Sequence, residues 1–303
     1  MKKISFFIAA AFLVLPVIGI QSCKSSSKAS GGTMFKFNLE KGKGYDYEMV
    51  MDLDTKVAGQ ESKVSMTSLY SMNVIAVEAG VRSVETAYKS IHMNMQVMGM
   101  EIDIDSDKPV SDNGEKDITK NPLGMMNKVV GGLVGKKFVI KVDEEGKVLE
   151  VNGFEKIISD MVDSMGVDAT TKAQALASMK DQFSDQNIKD QFAQVFTIFP
   201  NKEVKVGDSW EKSYATGGKM AAKYTTTYTV KGIEGDHVSL TTKTKITSAS
   251  ATQEMDGLQT GNVIVDSKTG LMINAEYDQD IKVTTQGQSV TVIGKGRIKG
   301  KAN

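Results

Sequence analysis

The sequence predicts a mainly β protein with some helix: a curved antiparallel sheet or half-barrel built from two similar halves, with a central helical segment packed on it. Three observations carry this prediction. Apolar and polar residues alternate strictly over many segments, which is the pattern of strands with one buried face. The same order of segments recurs in the second half of the chain. Between the halves, the apolar spacing changes to that of an amphipathic helix.

The first half contains the clearest strand patterns. Residues 45–53 alternate Tyr, Met and Leu with Asp and Glu, and residues 64–74 continue this alternation. The sequence EAG at residues 78–80 is typical of a hairpin turn. Residues 98–104 alternate Met and Ile with acidic residues, and residues 138–151 form a further hairpin pattern around DEEG. We therefore expect antiparallel strands joined by short turns.

The second half repeats this order, which predicts an internal duplication. Each of the matching segments is short, so the alternative is that any hairpin protein repeats glycine turns and strands by chance. The matching pairs are residues 41–47 with 205–211, residues 70–80 with 224–235, and residues 139–149 with 263–272.

The helical segment lies between residues 153 and 199. Asn152 is the expected N-cap of its first helix. A helix with one apolar stripe needs a surface to cover, and the sheet supplies that surface. A glycine-containing helical turn is also expected near residues 123–134. The apolar stripe of the first helix consists of Phe154, Ile157, Ile158, Met161, Val162 and Met165, and further helical spacing joins Leu176, Met179, Phe183, Ile188, Phe192, Val195 and Phe196.

The N-terminal residues have the form of an export signal. Two lysines precede an apolar stretch at residues 4–20, which ends in the sequence IQSC. This ending resembles the lipobox of bacterial lipoproteins, and it contains the only cysteine of the chain, Cys23. The resemblance implies that the signal is cut before Cys23 and that acyl chains on this residue hold the protein to a membrane. An uncleaved membrane anchor and a plain secretory signal are the alternatives.

The predicted organisation follows from these boundaries. Residues 1–22 are the signal peptide, and residues 23–34 are the lipidated cysteine and a flexible tether of small polar residues. Residues 35–152 form the first β half, residues 153–199 the helical segment and residues 200–303 the second β half. Position 24 is Lys, where inner-membrane retention signals have Asp. The resemblance therefore implies the outer membrane, with the protein facing the periplasm.

Composition excludes some partners and some chemistry. The 37 basic residues balance the 37 acidic ones, so nothing attracts the chain to nucleic acid. The segment GDSWE at residues 207–211 fails the G-x-S-x-G pattern of a serine nucleophile at its last position. The glycines at residues 131–135 lack the spacing of a phosphate-binding loop. We expect no catalytic residues, no cofactor and no enzymatic activity.

Two segments of the sequence contain residue types that bind metal ions. Asp103, Asp105 and Asp107 suggest calcium, but the segment lacks the glycine and the bidentate Glu of a calcium loop. His92 and the nearby methionines suggest copper. In one continuous strand, however, the methionines at 93 and 95 would face away from those at 98 and 100, unless Gly99 or a nearby bulge changes the register. The sequence therefore favours no metal, with the acidic residues on a solvated face.

The 18 methionines are the unusual feature of the composition. Plain core packing is one interpretation, and a deformable lining of a ligand cavity between sheet and helices is another, because the thioether side chain adapts to varied shapes. Thr-rich strands, at residues 224–230 and 238–246, instead favour a protein-binding surface. The candidate lining residues are Met49, Met51, Met98, Met100, Phe154, Ile158 and Met161.

The mature chain resembles a family of uncharacterised bacterial lipoproteins. The resemblance rests on the lipobox, the Met-rich early strands, KVGDSW at residues 205–210, and the hairpins at 143–146 and 266–270. A curved sheet with helices also resembles, in architecture alone, the carriers of the lipoprotein-localisation pathway. These likenesses imply a non-enzymatic lipoprotein that binds an apolar ligand or lipid. The alternative is a structural or assembly accessory that binds another envelope protein through a sheet edge.

Overall fold

A computed structural model describes residues 32–57, 59–97, 99–108, 122–164, 168–170, 172–173, 176–177, 184–196, 198–217, 221–250, 253–285 and 288–303. Cys23, Met98, Met165, Met179 and Phe183 lie outside these ranges. The strands are β1 (Thr33–Phe35), β2 (Gly44–Val57), β3 (Gln60–Glu78), β4 (Val81–Val97), β5 (Met100–Asp105), β6 (Lys137–Val142), β7 (Val148–Asn152), β8 (Lys202–Val204), β9 (Ser209–Ala215), β10 (Ala222–Glu234), β11 (His237–Ser248), β12 (Gln253–Asp266), β13 (Met272–Thr285) and β14 (Gln288–Ala302). The helices are α1 (Pro122–Leu133), α2 (Phe154–Ser164) and α3 (Asp185–Phe196).

One antiparallel sheet of twelve strands dominates the fold, as the sequence predicts. Its order is β7-β6-β4-β3-β2-β14-β13-β12-β11-β10-β9, with β5 pairing beside β6 on the same edge of β4. Strands β1 and β8 form a separate antiparallel pair. The first half runs from the centre of the sheet to one end, and the second half returns from the other end to the centre. The sheet is not closed by pairing between its end strands, β7 and β9.

The segments that match between the two halves of the sequence occupy equivalent positions in the two halves of the sheet. Gly42 N–H donates to the carbonyl of Val74 at 2.8 Å, and Gly207 N–H donates to the carbonyl of Val230 at 2.9 Å. A bulge follows each of these valines, in the β3–β4 and β10–β11 pairs alike. The strands β2-β3-β4-β6-β7 and β9-β10-β11-β12-β13 therefore follow one another across the sheet in the same direction, with β14 between the two groups.

Opposite charges line the junction between the two halves. On the outer face of β14, Lys295, Lys299 and Lys301 lie opposite Asp52, Glu48 and Asp46 of β2. Cross-strand pairs of opposite charge favour this register. A slip by one residue would place lysines on the buried face, so the register is strongly specified.

One end of the sheet is closed by a cluster of four aromatic side chains and one leucine, which we call the end cluster: Phe35, Phe37, Leu39, Phe196 and Phe199. The Phe199 ring lies 5.1 Å from the ring of Phe35 and 5.8 Å from that of Phe37, measured between centroids. The turns at Gly146 and Gly270 belong to equivalent hairpins of the two halves, and both approach Phe199. Two turns separated by four strands thus meet on one ring, so the sheet is strongly curved at this end.

The helices lie along the ends of the sheet. Helix α1 contacts β4 and β5, and α3 contacts both end strands, β7 and β9. Asn152 was the expected N-cap of α2, but the helix begins one residue later than that cap requires. The carboxylate of Asp185 instead accepts a hydrogen bond from the Glu155 N–H at 3.1 Å, so the N-terminus of α3 caps α2. Burial raises the pKa of Asp185 from its ordinary value.

Candidate functional site

The strands separate an inner face of the curved sheet from an outer face. On the inner face, buried residues of each strand lie in register with buried residues of its neighbours. On the outer face, charged and hydroxyl side chains are exposed. The register therefore defines rows that cross many strands on the inner face, and these rows contain the candidate site.

Besides Met72, which is fully buried opposite Tyr45, five methionines share the inner face of β2, β3 and β4. Met51 pairs with Met66, and Met66 pairs with Met93, so three thioether side chains are direct cross-strand neighbours. Met51 and Met93 are buried, whereas Met66 retains accessible surface. We call this set the methionine patch: Met49, Met51, Met66, Met93 and Met95.

The candidate lining residues of the first half are only partly brought together. Met49 and Met51 belong to the methionine patch, and Met98 lies outside the described residues. Met100 is 57 % exposed and begins β5, directly after Gly99. The expected strand over residues 98–104 is observed from Met100 onward, and Gly99, at a φ of 80°, turns the chain back on β4. This turn places Met93 and Met95 on the same face as Ile104 and Ile102.

The candidate lining residues of α2 are buried, but at a different place. Phe154 packs edge-on against Phe138 of β6, with ring centroids 5.2 Å apart. Met161 lies under Gly132 of α1, where a Cβ atom would approach the Met161 Cγ to 2.9 Å. Ile158 is also buried. All three join the common apolar core, where Phe154 contacts β6 and Met161 contacts α1.

A row of polar side chains crosses the inner face of the second half. The register joins Lys212 to Thr226, Thr226 to Thr244, Thr244 to Gln259 and Gln259 to Gln279. We call these five residues, one from each of β9 to β13, the polar row. Along the curved backbone, four strand spacings of about 4.8 Å separate β9 from β13 by about 19 Å. The inward side chains converge from there, because Tyr277 of β13 is close enough to Tyr214 of β9 to raise its pKa. The Thr226 and Thr244 hydroxyl oxygens form a hydrogen bond of 2.8 Å.

The amide of Gln279 has no hydrogen-bond partner. Both its Nε2 and Oε1 atoms are buried and unpaired, and the side chain is 3 % exposed. An unpaired buried polar group costs roughly 1–3 kcal/mol, so such atoms require an explanation such as a bound ligand or water. The hydroxyl groups of Ser68 and Thr86, on the inner face of β3 and β4, are unpaired in the same way.

Aromatic side chains flank the polar row on both sides. Trp210 stacks on Tyr228 with centroids 5.6 Å apart, and Tyr214 stacks on Tyr224 at 4.7 Å. Burial raises the pKa of Tyr224 to about 12 and that of Tyr214 well above its ordinary value. Tyr214 nevertheless retains accessible surface.

The inner faces of the two halves face each other. Burial raises the pKa of Tyr277, on β13, and the Tyr70 hydroxyl on β3 raises it further. Burial likewise raises the pKa of Tyr88 to about 12, although its ring keeps accessible surface. The methionine patch and the polar row thus line opposite sides of one curved surface, with tyrosines between them.

Glycines separate the polar row from the methionine patch. Gly294 of β14 lies between Gln279 and Leu53, and a Cβ there would clash with both side chains. Gly300 lies under the ring of Tyr47 in the same manner. These glycines let large side chains of neighbouring strands lie over β14, and they allow the sheet to bend.

The outer face carries exposed polar groups. A depression of about 280 Å³ lies on the outer side of β2 to β4, lined mainly by Asp52, Asp54, Lys63, Asn94 and Gln96. His92 is 2.8 Å from an Asp103 carboxylate oxygen, and this hydrogen bond is the main reason that the pKa of Asp103 is lowered. Among the described residues, no three His, Cys, Asp or Glu side chains are placed to hold a metal ion.

The fold and its inner face define a large open antiparallel sheet with an aromatic end cluster. The chain belongs to the family of unknown function DUF6263, whose sequence profile matches residues 79–272. No curated protein sequence matches it. No helix in the described part of the chain is long and apolar enough to span a membrane.

Solved structures show weak likenesses of fold. A structure of lipid–protein interactions in lipovitellin is 7 % identical with a TM-score of 0.49, over 86 % of this chain and 25 % of that one. The translocator domain of the autotransporter NalP from Neisseria meningitidis is 6 % identical with a TM-score of 0.30, over 86 % of this chain and 89 % of that one. The present chain thus spans about a quarter of the lipovitellin chain.

Proposed function

We propose that this protein is a non-enzymatic lipoprotein of the bacterial cell envelope that binds an apolar or amphiphilic molecule, such as a lipid, on the inner face of its sheet. Cys23 carries the acyl chains that hold it to the membrane. The outer membrane, facing the periplasm, is the proposed location. The bound molecule lies against the methionine patch and the tyrosines beside it.

One observation carries the binding proposal: inner-face side chains are not completely covered. Met49, Met66 and Tyr88 keep accessible surface although they point into the curve of the sheet. Nearby, the hydroxyl of Ser68 is buried without a partner. A fully packed core leaves few such groups, whereas flexible methionines next to free space suit a ligand of variable shape.

Photo-crosslinking tests this proposal. The whole chain is incubated with a diazirine derivative of palmitic acid, irradiated and digested, and the labelled peptides are mapped by mass spectrometry. We expect label on inner-face residues of β2 to β4, suppressed by excess unlabelled palmitic acid. Label that is not suppressed, or that falls on exposed outer-face residues such as Leu69, would contradict the proposal.

Binding of another envelope protein is the second candidate. Strand β9 is an end strand, and its outward backbone groups have no partner strand in the described sheet. An extended segment could add to this edge. The Thr-rich strands give less support than the sequence indicates, because Thr226, Thr242 and Thr244 point inward. One envelope protein that co-purifies with the parent and is lost with Ser213→Pro in β9 would favour this candidate.

A further inference from the structure

The inner face of the sheet is itself amphiphilic. The polar row ends at Gln279, and the same cross-strand row continues through Gly294 to Leu53, Val64 and Met95. Within one row, the chemistry therefore changes from ammonium, hydroxyl and amide groups to aliphatic and thioether groups. A wholly apolar ligand would leave Lys212 and the Gln279 amide of this row without a partner.

Lys212 is the one charged member of the polar row. It lies on the inner face of β9 between Trp210 and Tyr214, opposite the buried Thr226. Its side chain is partly buried, and no carboxylate of the described residues forms an ion pair with it. Lys137 on the outer face and Lys268 in the turn between β12 and β13, in contrast, have carboxylate partners. The ammonium group of Lys212 is thus available to an anion on the inner face.

The amide of Gln279 is an independent indication of a ligand. Its donor and its acceptor are both unpaired, and Gln279 lies in the same row as Lys212. An ammonium and an amide N–H are hydrogen-bond donors, and together they suit a carboxylate or phosphate oxygen.

We propose that the ligand is an amphiphile with an anionic head. The head binds at the polar row, with Lys212 as its counter-ion and Gln279 as a hydrogen-bonding residue, and the acyl chain lies on the methionine patch. This inference rests on the proposed function and adds the class of ligand and its orientation. The alternative is that Lys212 only protects an end strand from pairing, as inward-pointing charges can do.

Binding of a matched pair of probes shows whether Lys212 binds an anionic head or only protects the end strand. The whole chain carrying Cys23→Ala is titrated with cis-parinaric acid and with its methyl ester, which share one acyl chain but differ in charge. We expect the acid to bind at least about tenfold more tightly than the ester, since a charged hydrogen bond is lost in the ester. Lys212→Gln should abolish this preference and leave the affinity for the ester unchanged.

The control is Lys243→Gln, which removes the same charge from the outer face of β11. It should retain the preference for the acid. Gln279→Leu, which keeps the bulk of the side chain, should weaken binding of the acid more than binding of the ester. Circular dichroism and melting curves show whether each variant is folded.

The outcomes separate the two proposals. If acid and ester bind with equal affinity, or if Lys212→Gln keeps the preference for the acid, the anionic-head inference is wrong and the apolar site stands. If neither probe binds to the folded parent, the proposed function itself fails. Repeating the titration with lysophosphatidic acid and with palmitic acid as competitors distinguishes a phosphate head from a carboxylate head. If lysophosphatidic acid displaces the probe at a lower concentration than palmitic acid does, the head group is a phosphate.

Discussion

Phe199 joins segments that are far apart in the sequence, and its replacement tests the curvature of the sheet. The ring is fully buried, contacts Phe35 and Phe37, and is approached by the equivalent turns at Gly146 and Gly270. Truncation of a core phenylalanine costs about 3–5 kcal/mol, and the lost ring pairs place this residue in the upper part of that range. We therefore expect Phe199→Ala to lower the free energy of unfolding by about 4–5 kcal/mol.

The measurement is urea unfolding followed by tryptophan fluorescence, which reports on Trp210 beside the end cluster. The melting temperature should fall by roughly 10–15 °C for a chain of this size. Met34→Ala is the control, because Met34 lies in β1 next to Phe35 but is 49 % exposed. It should change stability by less than about 0.5 kcal/mol. A loss below about 1.5 kcal/mol for Phe199→Ala would refute the convergence of the two turns.

Three further predictions follow from the same contacts. Gly270→Ala should destabilise the fold by about 1–2 kcal/mol more than Gly59→Ala in chemical unfolding. Both residues have φ near 80°, so the backbone strain of the substitution is the same at both positions. A Cβ on Gly270, however, would lie 2.8 Å from the Phe199 ring, whereas a Cβ on Gly59 meets nothing within 4 Å. Stability should fall as pH rises from about 10 to 12, because unfolded tyrosines ionise near 10 whereas Tyr88 and Tyr224 keep their protons to about 12 in the fold. Unchanged melting temperatures between pH 9 and pH 11.5 would show that these hydroxyls are not desolvated. Cys23→Ala should abolish membrane attachment and labelling by a fatty-acid probe, and label that persists would exclude this residue as the acylation site.

The fold was predictable because its signals are local. Alternation located the long strands, and paired glycine turns located the hairpins. The boundary at Gly99 shows the limit of this reasoning, because the apolar alternation of the sequence continues across a residue whose φ of 80° turns the chain between β4 and β5. Gly59, at a φ of 81°, lies in the same way between β2 and β3, whose register gives the Met51–Met66 pair.

The candidate site was only partly predictable because it depends on pairing between distant strands. The polar row requires five strands in one register, and each of its residues looks like an ordinary member of a Thr-rich or charged segment. From the sequence alone, Lys212 would be interpreted as a surface lysine. Only the pairing with Thr226 places it on the inner face. The helix residues Phe154 and Met161 are buried, but sequence spacing cannot say which surface a helix covers.

The most direct test of the central claim is analysis of what the protein binds when it is purified from the cells that produce it. The parent is extracted with organic solvent, which releases bound molecules but not acyl chains on Cys23, and the extract is quantified by mass spectrometry. Met66→Gln changes the methionine patch, and Thr67→Gln, the next residue, changes the outer face. We predict about one anionic amphiphile per chain in the parent and in Thr67→Gln, and a marked loss in Met66→Gln. A folded parent that yields no amphiphile, or equal amounts from all three proteins, would contradict binding on the inner face.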